Sequence, residues 1–205
     1  MINGDHGVNR KLLFQALAGE WHCGKGEIEL PPIEDMLLMP HNAYVPSGTL
    51  RDAMTFPQQH DAYPDADLEQ ALEKAGLGRL KGKLDTTARW DRMLDTDEQK
   101  AVGFAHALLA EPRWLILDET LEGLEPDIQK RLVNLLAELK DTTMIYIGRS
   151  EAYLEVLSPR VLHLQALVPP VPGTKPPKTM PIVPRGKPAP LRKPVAAVRE
   201  RVPPG

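Results

Sequence analysis

A short apolar run followed by two adjacent carboxylates most constrains the fold of this chain. The run is Trp114-Leu115-Ile116-Leu117, and Asp118 and Glu119 follow it directly. Such a run predicts a buried strand of a parallel sheet, with both carboxylates at the carboxyl edge. In nucleotide hydrolysis, one carboxylate at such an edge holds Mg²⁺ and the next orients or deprotonates the attacking water. A buried strand that ends in solvated acidic residues is the alternative interpretation.

Three further segments surround this strand in a recognisable order. Residues 4–19 begin with spaced glycines and continue as a helix-like stretch, residues 39–53 contain His41, and residues 98–113 form a helix-like stretch directly before the strand. In order and approximate spacing, these segments resemble the ATP-binding domain of ATP-binding-cassette (ABC) transporters, from about Ile2 to Leu164. The resemblance is closest to the branch that contains peroxisomal fatty-acyl transporters and their bacterial relatives.

The resemblance carries expectations about fold, ligands and partners. It implies an α/β fold of the P-loop NTPase type, with a mainly parallel sheet surrounded by helices. It implies ATP and Mg²⁺ as ligands, and a transmembrane transporter subunit or a second ABC domain as partner. We expect a cytoplasmic location, at the inner face of a membrane, because no apolar run reaches the roughly 18 residues of a membrane helix. We also see no signal peptide at the N-terminus.

The resemblance assigns roles to individual residues. Asp118 and Glu119 correspond to the Walker B motif, so Asp118 would hold Mg²⁺ and Glu119 would be the catalytic base. Nucleotide contacts would come from Gly4, Gly7, Asn9, Arg10, Lys11, Leu12, His41 and Arg149.

The phosphate loop, or Walker A motif, departs from the family pattern at its end. A phosphate loop needs a last glycine, a lysine for the phosphates and a hydroxyl residue for Mg²⁺. Asn9, Arg10 and Lys11 occupy these three positions. Asn tolerates a left-handed backbone, but the planar fork of Arg10 does not fit the slot of a compact ammonium. Lys11 removes the hydroxyl ligand and brings a cation toward the magnesium position.

The other motifs depart as well. His41 stands at the Q-loop glutamine, where imidazole can still make one hydrogen bond, and Arg149 stands at the switch histidine. The signature segment reads Leu94-Asp95-Thr96-Asp97-Glu98-Gln99, and the D-loop is Glu122-Gly123-Leu124-Glu125. In the family the signature faces the γ-phosphate of ATP held by an opposite domain. Asp95 and Asp97 would therefore repel that phosphate.

Three hypotheses about function follow. The first is a non-catalytic or weakly ATP-binding subunit or remnant of an ABC transporter, with impaired hydrolysis. The second is an active ATP-hydrolysing transporter subunit that uses Asp118 and Glu119. The third is a decaying gene fragment without function. Only Met1-Ile2-Asn3 precede Gly4, so we expect the domain to lack the family's N-terminal strands, including the aromatic residue that stacks on adenine.

Hydrophobic periodicity, together with the residues typical of helix starts and ends, predicts the secondary structure. Strands are expected at the start of the chain and over 36–39, 115–117, 144–147 and 161–164. Helices are expected over 11–18, 67–74, 97–109 and 127–139, with Asp65 or Asp67 as the cap of the second. A stripe of apolar residues on the last helix predicts core packing; it consists of Ile128, Leu132, Leu135, Leu136 and Leu139.

The composition changes near Ala166, which divides the chain into an ABC-ATPase-like domain, 1–165, and a tail, 166–205. Twelve of the 21 prolines lie in the tail, with eight Lys or Arg against one acidic residue. Such a basic, Pro-rich segment predicts disorder. The tail could instead contact an anionic surface or a Pro-recognising domain. Nucleic-acid binding is not expected, because aromatic residues are absent from it. The single cysteine, Cys23, is expected to be an incidental loop residue, and His22 beside it does not make a metal site.

Overall fold

A computed structural model of the chain describes residues 1–5, 8–21, 23, 27–151 and 156–165. Gly7, His22 and the tail from residue 166 lie outside the described residues. The strands are β1 Ile2–Gly4, β2 Met36–Met39, β3 Gly48–Thr49, β4 Thr87–Ala88, β5 Trp114–Asp118, β6 Thr143–Ile147 and β7 Leu162–Leu164. The helices are α1 Arg10–Leu17, α2 Leu50–Thr55, α3 Asp65–Lys74, α4 Trp90–Met93, α5 Thr96–Ala110 and α6 Pro126–Leu136. Short 3₁₀ helices span Ile33–Asp35 and Gly78–Leu80.

Five strands form one parallel sheet in the order β2-β5-β6-β1-β7. Together with the surrounding helices it makes the α/β fold that the sequence predicted. Helices join β1 to β2, β2 to β5 and β5 to β6, as crossover connections between parallel strands require. The predicted strand 36–39 is confirmed residue for residue, and the strands predicted over 115–117 and 144–147 each extend by one or two residues.

The strand β5 is buried on both faces. Leu115 and Leu117 belong to the main core, which also contains residues of α5 and α6. Ile116 belongs to a smaller core with Phe14 of α1. Because successive side chains of a strand point to opposite faces, α1 lies on one side of the sheet, and α5 and α6 lie on the other. The same alternation explains why the run 114–117 is apolar throughout.

The apolar stripe of α6 packs into the core as predicted. Leu132, Leu135, Leu136 and Leu139 are buried, and Ile128 packs against them while partly exposed. The helix itself ends at Leu136, and Leu139 lies three residues beyond it. The stripe therefore continues past the helix end.

The predicted cap of α3 is wrong. The helix begins at Asp65 with Pro64 as its N-cap residue, and neither Asp65 nor Asp67 caps it with its side chain. The Asp65 carboxylate instead accepts a hydrogen bond from the buried Arg51, at 2.7 Å. Since a buried guanidinium needs charged partners, this contact takes the carboxylate away from the helix terminus.

A small helical region, which the sequence did not predict in full, packs beside the sheet. Here β3 and β4 pair as an antiparallel ribbon, and α2 begins with a capping box between Thr49 and Asp52. Trp90, the first residue of α4, packs into the core, and 1% of the Trp90 surface is exposed. These elements are two to six residues long. Hydrophobic periodicity does not predict elements that short.

Candidate functional site

The carboxyl ends of β1, β5 and β6 meet at one edge of the sheet, beside the N-terminus of α1. Gly4 ends β1, and Asp118 ends β5. A Cβ atom on Gly4 would lie 3.0 Å from the Leu164 carbonyl oxygen, so the close approach to β7 favours glycine there. Ligands of parallel α/β sheets bind outside the carboxyl ends of the strands. This edge is therefore the candidate site.

A groove of about 380 Å³ opens at this edge. Its polar lining consists of Lys11, Gln15, Glu20, His41, Asn42, Asp118 and Glu119. The structure thus brings together four of the residues singled out from the sequence, although they come from three separate segments. Arg149 is exposed and does not line the groove.

Arg10 and Glu119 form an ion pair next to the groove. Arg10 Nη2 donates to Glu119 Oε1 at 2.6 Å. The Arg10 side chain is 6% exposed and that of Glu119 is 34% exposed. Arg10 Nε and Nη1 are buried without a hydrogen-bond partner among the described residues. The carboxylate expected to act as a base is therefore engaged by a cation of the same chain.

Glu119 is also held through its backbone. Its φ is +48°, in the left-handed region, and its N–H donates to the Ile147 carbonyl at 2.8 Å. Its own carbonyl accepts from Nδ1 of His41 at 3.1 Å. The single hydrogen bond expected of His41 thus reaches the segment that follows β5.

Asp118 is 4% exposed, and its Oδ1 has no hydrogen-bond partner among the described residues. Burial raises the pKa of its carboxyl group, and the neighbouring charge of Glu119 raises it further. Electrostatic interactions with His41 and Lys11 act on the pKa of Asp118 in the opposite direction. Burial at this position therefore disfavours the charged form of Asp118.

The backbone conformation of Asn9, the residue before α1, differs from the one expected. Asn9 is the N-cap residue with φ −86° and ψ 87°, so the left-handed backbone for which Asn would be suited is not used. Its side chain makes no cap hydrogen bond. Its carbonyl accepts from the Leu12 N–H at 3.2 Å, and Leu12 is half-buried.

A second, mostly apolar groove of about 340 Å³ lies between β2, α2 and α5. Tyr44 and Phe56 line it and contact each other edge to face, with ring centroids 5.7 Å apart. His106 lines it from α5, where Nδ1 donates to the Met54 carbonyl at 2.8 Å and Nε2 is buried without a described partner. Burial lowers the pKa of His106, so it stays neutral. Sequence reasoning missed this groove because its walls come from three distant segments.

Neither a metal cluster nor a membrane span is found in the described parts of the chain. No three His, Cys, Asp or Glu side chains there are placed to hold a metal ion together. No helix in the same residues combines the length and apolar character needed to cross a membrane.

Several known proteins are similar to this chain in sequence. No protein-family model matches the chain. An uncharacterized ABC transporter ATP-binding protein of Synechocystis is 33% identical over 151 residues, which are 72% of this chain and 23% of that protein. One of Haemophilus influenzae is 30% identical over 169 residues, 82% of this chain and 27% of its own length. The chain is a homologue of ABC transporter ATP-binding proteins. The human lysosomal cobalamin transporter ABCD4 is also similar, 28% identical over 180 residues that cover 80% of this chain and 29% of the transporter.

This homology confirms two predictions from the sequence. One is the resemblance to ABC transporter ATP-binding domains, and the other is the P-loop NTPase type of fold. Members of the ABC transporter D family of Dictyostelium discoideum are among the similar proteins. The chain spans about a quarter of the length of the curated relatives it matches. The activity, substrates and partners of those whole proteins are therefore only proposals for this chain.

The segment assigned to the ABC signature forms a helix start. Asp95 caps α5, since its carboxylate accepts from the Glu98 N–H at 2.8 Å, and the Glu98 carboxylate accepts from the Asp95 N–H at 3.2 Å. Asp95 is exposed. The Asp95 carboxylate therefore stabilises the start of α5, and it also presents a negative charge to solvent.

The segment assigned to the D-loop binds the backbone of Arg149 and Ser150, just beyond β6. The Glu122 carboxylate accepts from the backbone N–H of Arg149 at 2.6 Å and of Ser150 at 3.1 Å. It also accepts from the Tyr146 hydroxyl. The buried Lys100 donates to the Glu122 carbonyl at 2.9 Å. The sequence identified Glu122 only as part of the D-loop, without these contacts, and it did not single out Lys100.

Proposed function

We propose that the chain is an ABC ATP-binding domain-like subunit that binds ATP weakly and is poor at hydrolysis. The ion pair between Arg10 and Glu119 carries this proposal. A catalytic base must be free to reach a water molecule, and Glu119 instead accepts a 2.6 Å hydrogen bond from a buried guanidinium. Such charge-assisted contacts are among the strong ones in proteins. Phosphate-loop, signature and switch residues that depart from the family pattern support the same proposal.

Phosphate release from Mg-ATP tests the proposal directly. We expect the purified full chain to release phosphate no faster than its Glu119→Gln variant, which lacks a carboxylate base. The alternative function, an active ATP-hydrolysing subunit, is favoured by the adjacent Asp118 and Glu119 at the carboxyl end of β5. It predicts turnover in the wild type that Glu119→Gln abolishes, and that result would overturn our proposal.

We infer that the partner is a transmembrane transporter subunit or a second ABC domain, and that the chain works in the cytoplasm at the inner face of a membrane. The apolar groove supports the first partner. Tyr44 is 71% exposed and Phe56 is 52% exposed at this groove, and paired exposed aromatic residues favour an interface. Tyr44 lies within residues 39–53, the segment that contains His41, and Phe56 lies three residues beyond it.

Membrane fractionation of cells that express the full chain tests this partner. The wild type should sediment with membranes, and the double variant Tyr44→Asp, Phe56→Asp should remain in the supernatant. Met93→Asp is the matched control, because Met93 is 62% exposed and lies outside the groove. Equal sedimentation of all three proteins would contradict the partner proposal.

The division into a domain, 1–165, and a basic tail, 166–205, remains a proposal. The tail's net positive charge supports contact with an anionic surface. Co-sedimentation with anionic and neutral lipid vesicles at low and high salt tests it. Binding only to anionic vesicles, lost at high salt, is the expected result; salt-insensitive or absent binding leaves capture by a Pro-recognising domain as the alternative.

A further inference from the structure

The turn that follows β6 is held by one carboxylate from the segment that follows β5. Glu122 accepts from the backbone N–H groups of Arg149 at 2.6 Å and of Ser150 at 3.1 Å, and also from the Tyr146 hydroxyl. Three donors thus converge on a single carboxylate, and charge-assisted hydrogen bonds of this kind are among the strong ones in proteins. Glu122 therefore fixes the backbone of Arg149.

Arg149 lies beside the polar groove at the end of β5 but does not line it. The Ile147 carbonyl accepts from the Glu119 N–H at 2.8 Å. Arg149 follows Ile147 by two residues, and consecutive Cα atoms are about 3.8 Å apart. Arg149 is exposed, and its side chain forms no ion pair with the residues that the structure describes. An unpaired guanidinium thus lies close to Glu119 without entering the groove.

The lining of this groove is net negative. Lys11 faces three acidic side chains there, those of Glu20, Asp118 and Glu119. Arg10 offsets the charge of Glu119 alone, through the ion pair between them. A ligand that carries phosphate groups would therefore be stabilised by one further cation in the groove.

We propose that Glu122 is an autoinhibitory clamp: by fixing the turn after β6, its carboxylate keeps Arg149 out of the groove and so weakens ATP binding. Loss of the clamp frees the N–H groups of Arg149 and Ser150, and the turn can then bring the guanidinium to phosphate oxygens, which match its donor pattern. Glu122 is thus a positioning residue. The inference rests on the proposed function, weak ATP binding with poor hydrolysis, and gives one cause of the weak binding.

Calorimetric titration of the full chain with Mg-ATP tests the clamp. Four proteins are compared: the wild type, Glu122→Ala, Arg149→Ala and the double variant. Glu122→Ala should lower the Kd about tenfold relative to the wild type, since the released guanidinium adds a charge-assisted contact with phosphate. In the Arg149→Ala background the same substitution should leave the Kd unchanged, because the released turn then has no guanidinium to contribute.

Glu122→Gln separates the clamp from the negative charge of Glu122. After burial and the charge of Glu119, the charge of Glu122 also raises the pKa of Asp118, so removal of this charge would by itself favour an anion. The amide oxygen of Gln still accepts from the N–H groups of the turn. This variant should therefore show a much smaller gain in affinity than Glu122→Ala.

Urea unfolding of each variant checks that the fold is retained. Gln129 of α6 donates to the Leu121 carbonyl at 3.0 Å and to Ser150 Oγ at 2.9 Å. A second contact therefore still joins the two segments when Glu122 is replaced. If the alanine variant does not fold, Glu122→Ser takes its place in both backgrounds, because a serine side chain is also too short to reach the turn.

Three results would overturn the inference: an unchanged, higher or unmeasurable Kd for Glu122→Ala, the same gain in the Arg149→Ala background, or an equal gain in Glu122→Gln. None of them depends on hydrolysis. Phosphate release that Glu119→Gln abolishes would overturn the proposed function instead, so the two failures are distinguishable.

Discussion

Arg10 and Glu119 are 109 positions apart in sequence, and their side chains meet at 2.6 Å. One begins α1 and the other follows β5. The contact ties the helix start to the carboxyl end of a central strand. It also engages both the cation expected to bind phosphate and the carboxylate expected to activate water.

Glu119→Gln should lower the free energy of unfolding by about 1–3 kcal/mol, because the buried guanidinium of Arg10 loses its charged partner. Urea unfolding measures the change. Arg10→Met removes the cation at similar length, so the double variant should lose less stability than the two single variants added together. Additive losses would show that the pair does not couple.

Asp95→Ala should destabilise the protein by about 1 kcal/mol, because α5 loses its N-cap acceptor. Asp95→Ser should stay within a few tenths of a kcal/mol of the wild type, since a serine hydroxyl can accept the same Glu98 N–H. Urea unfolding monitored by far-ultraviolet circular dichroism compares the three proteins. Equal loss in both variants would mean that the negative charge, and not the cap geometry, stabilises this helix start.

Gly148→Ala should lower stability by about 1–3 kcal/mol, because an added methyl group overpacks the site. A Cβ atom there would lie 2.6 Å from Glu122 Oε1 and 2.7 Å from the Tyr146 hydroxyl. Gly103→Ala in α5 is the matched control. Its Cβ would approach only the flexible end of Met39, at 3.1 Å, so the gain in helix propensity, about 0.5–1 kcal/mol, should dominate. Thermal unfolding of both variants checks the opposite signs.

Stability should fall as pH decreases below 6.5, in part because of His106. Burial lowers its folded-state pKa from the ordinary value of 6.5. Between 6.5 and the lower folded-state value, the unfolded chain binds a proton that the folded chain does not, so unfolding is favoured by up to about 1.4 kcal/mol per pH unit. His106→Gln can keep a donor for the Met54 carbonyl but does not titrate. Urea midpoints from pH 7.5 to 5 should fall less steeply for this variant; parallel curves would exclude His106 as a cause.

The sequence by itself determined the central strands and the longest helices. The apolar run before Asp118 had to be buried on both faces, and the leucine stripe of α6 had to face a core, because period and polarity are local properties of the chain. The order of motifs was sufficient to indicate the family resemblance. The cap of α3 was predicted wrongly, since Asp65 is drawn to Arg51, a contact that no local pattern contains.

Only the tertiary structure decided which charges neutralise one another. Sequence reasoning identified Arg10, Lys11, His41, Asp118 and Glu119 as separate departures or remnants of a motif. The fold brings them to one edge of the sheet and pairs Arg10 with Glu119. It likewise joins the Glu122 carboxylate to the backbone of Arg149. Such pairings depend on distances between segments far apart in the chain, and burial strengthens them by removing water; neither quantity is encoded in any one stretch of sequence.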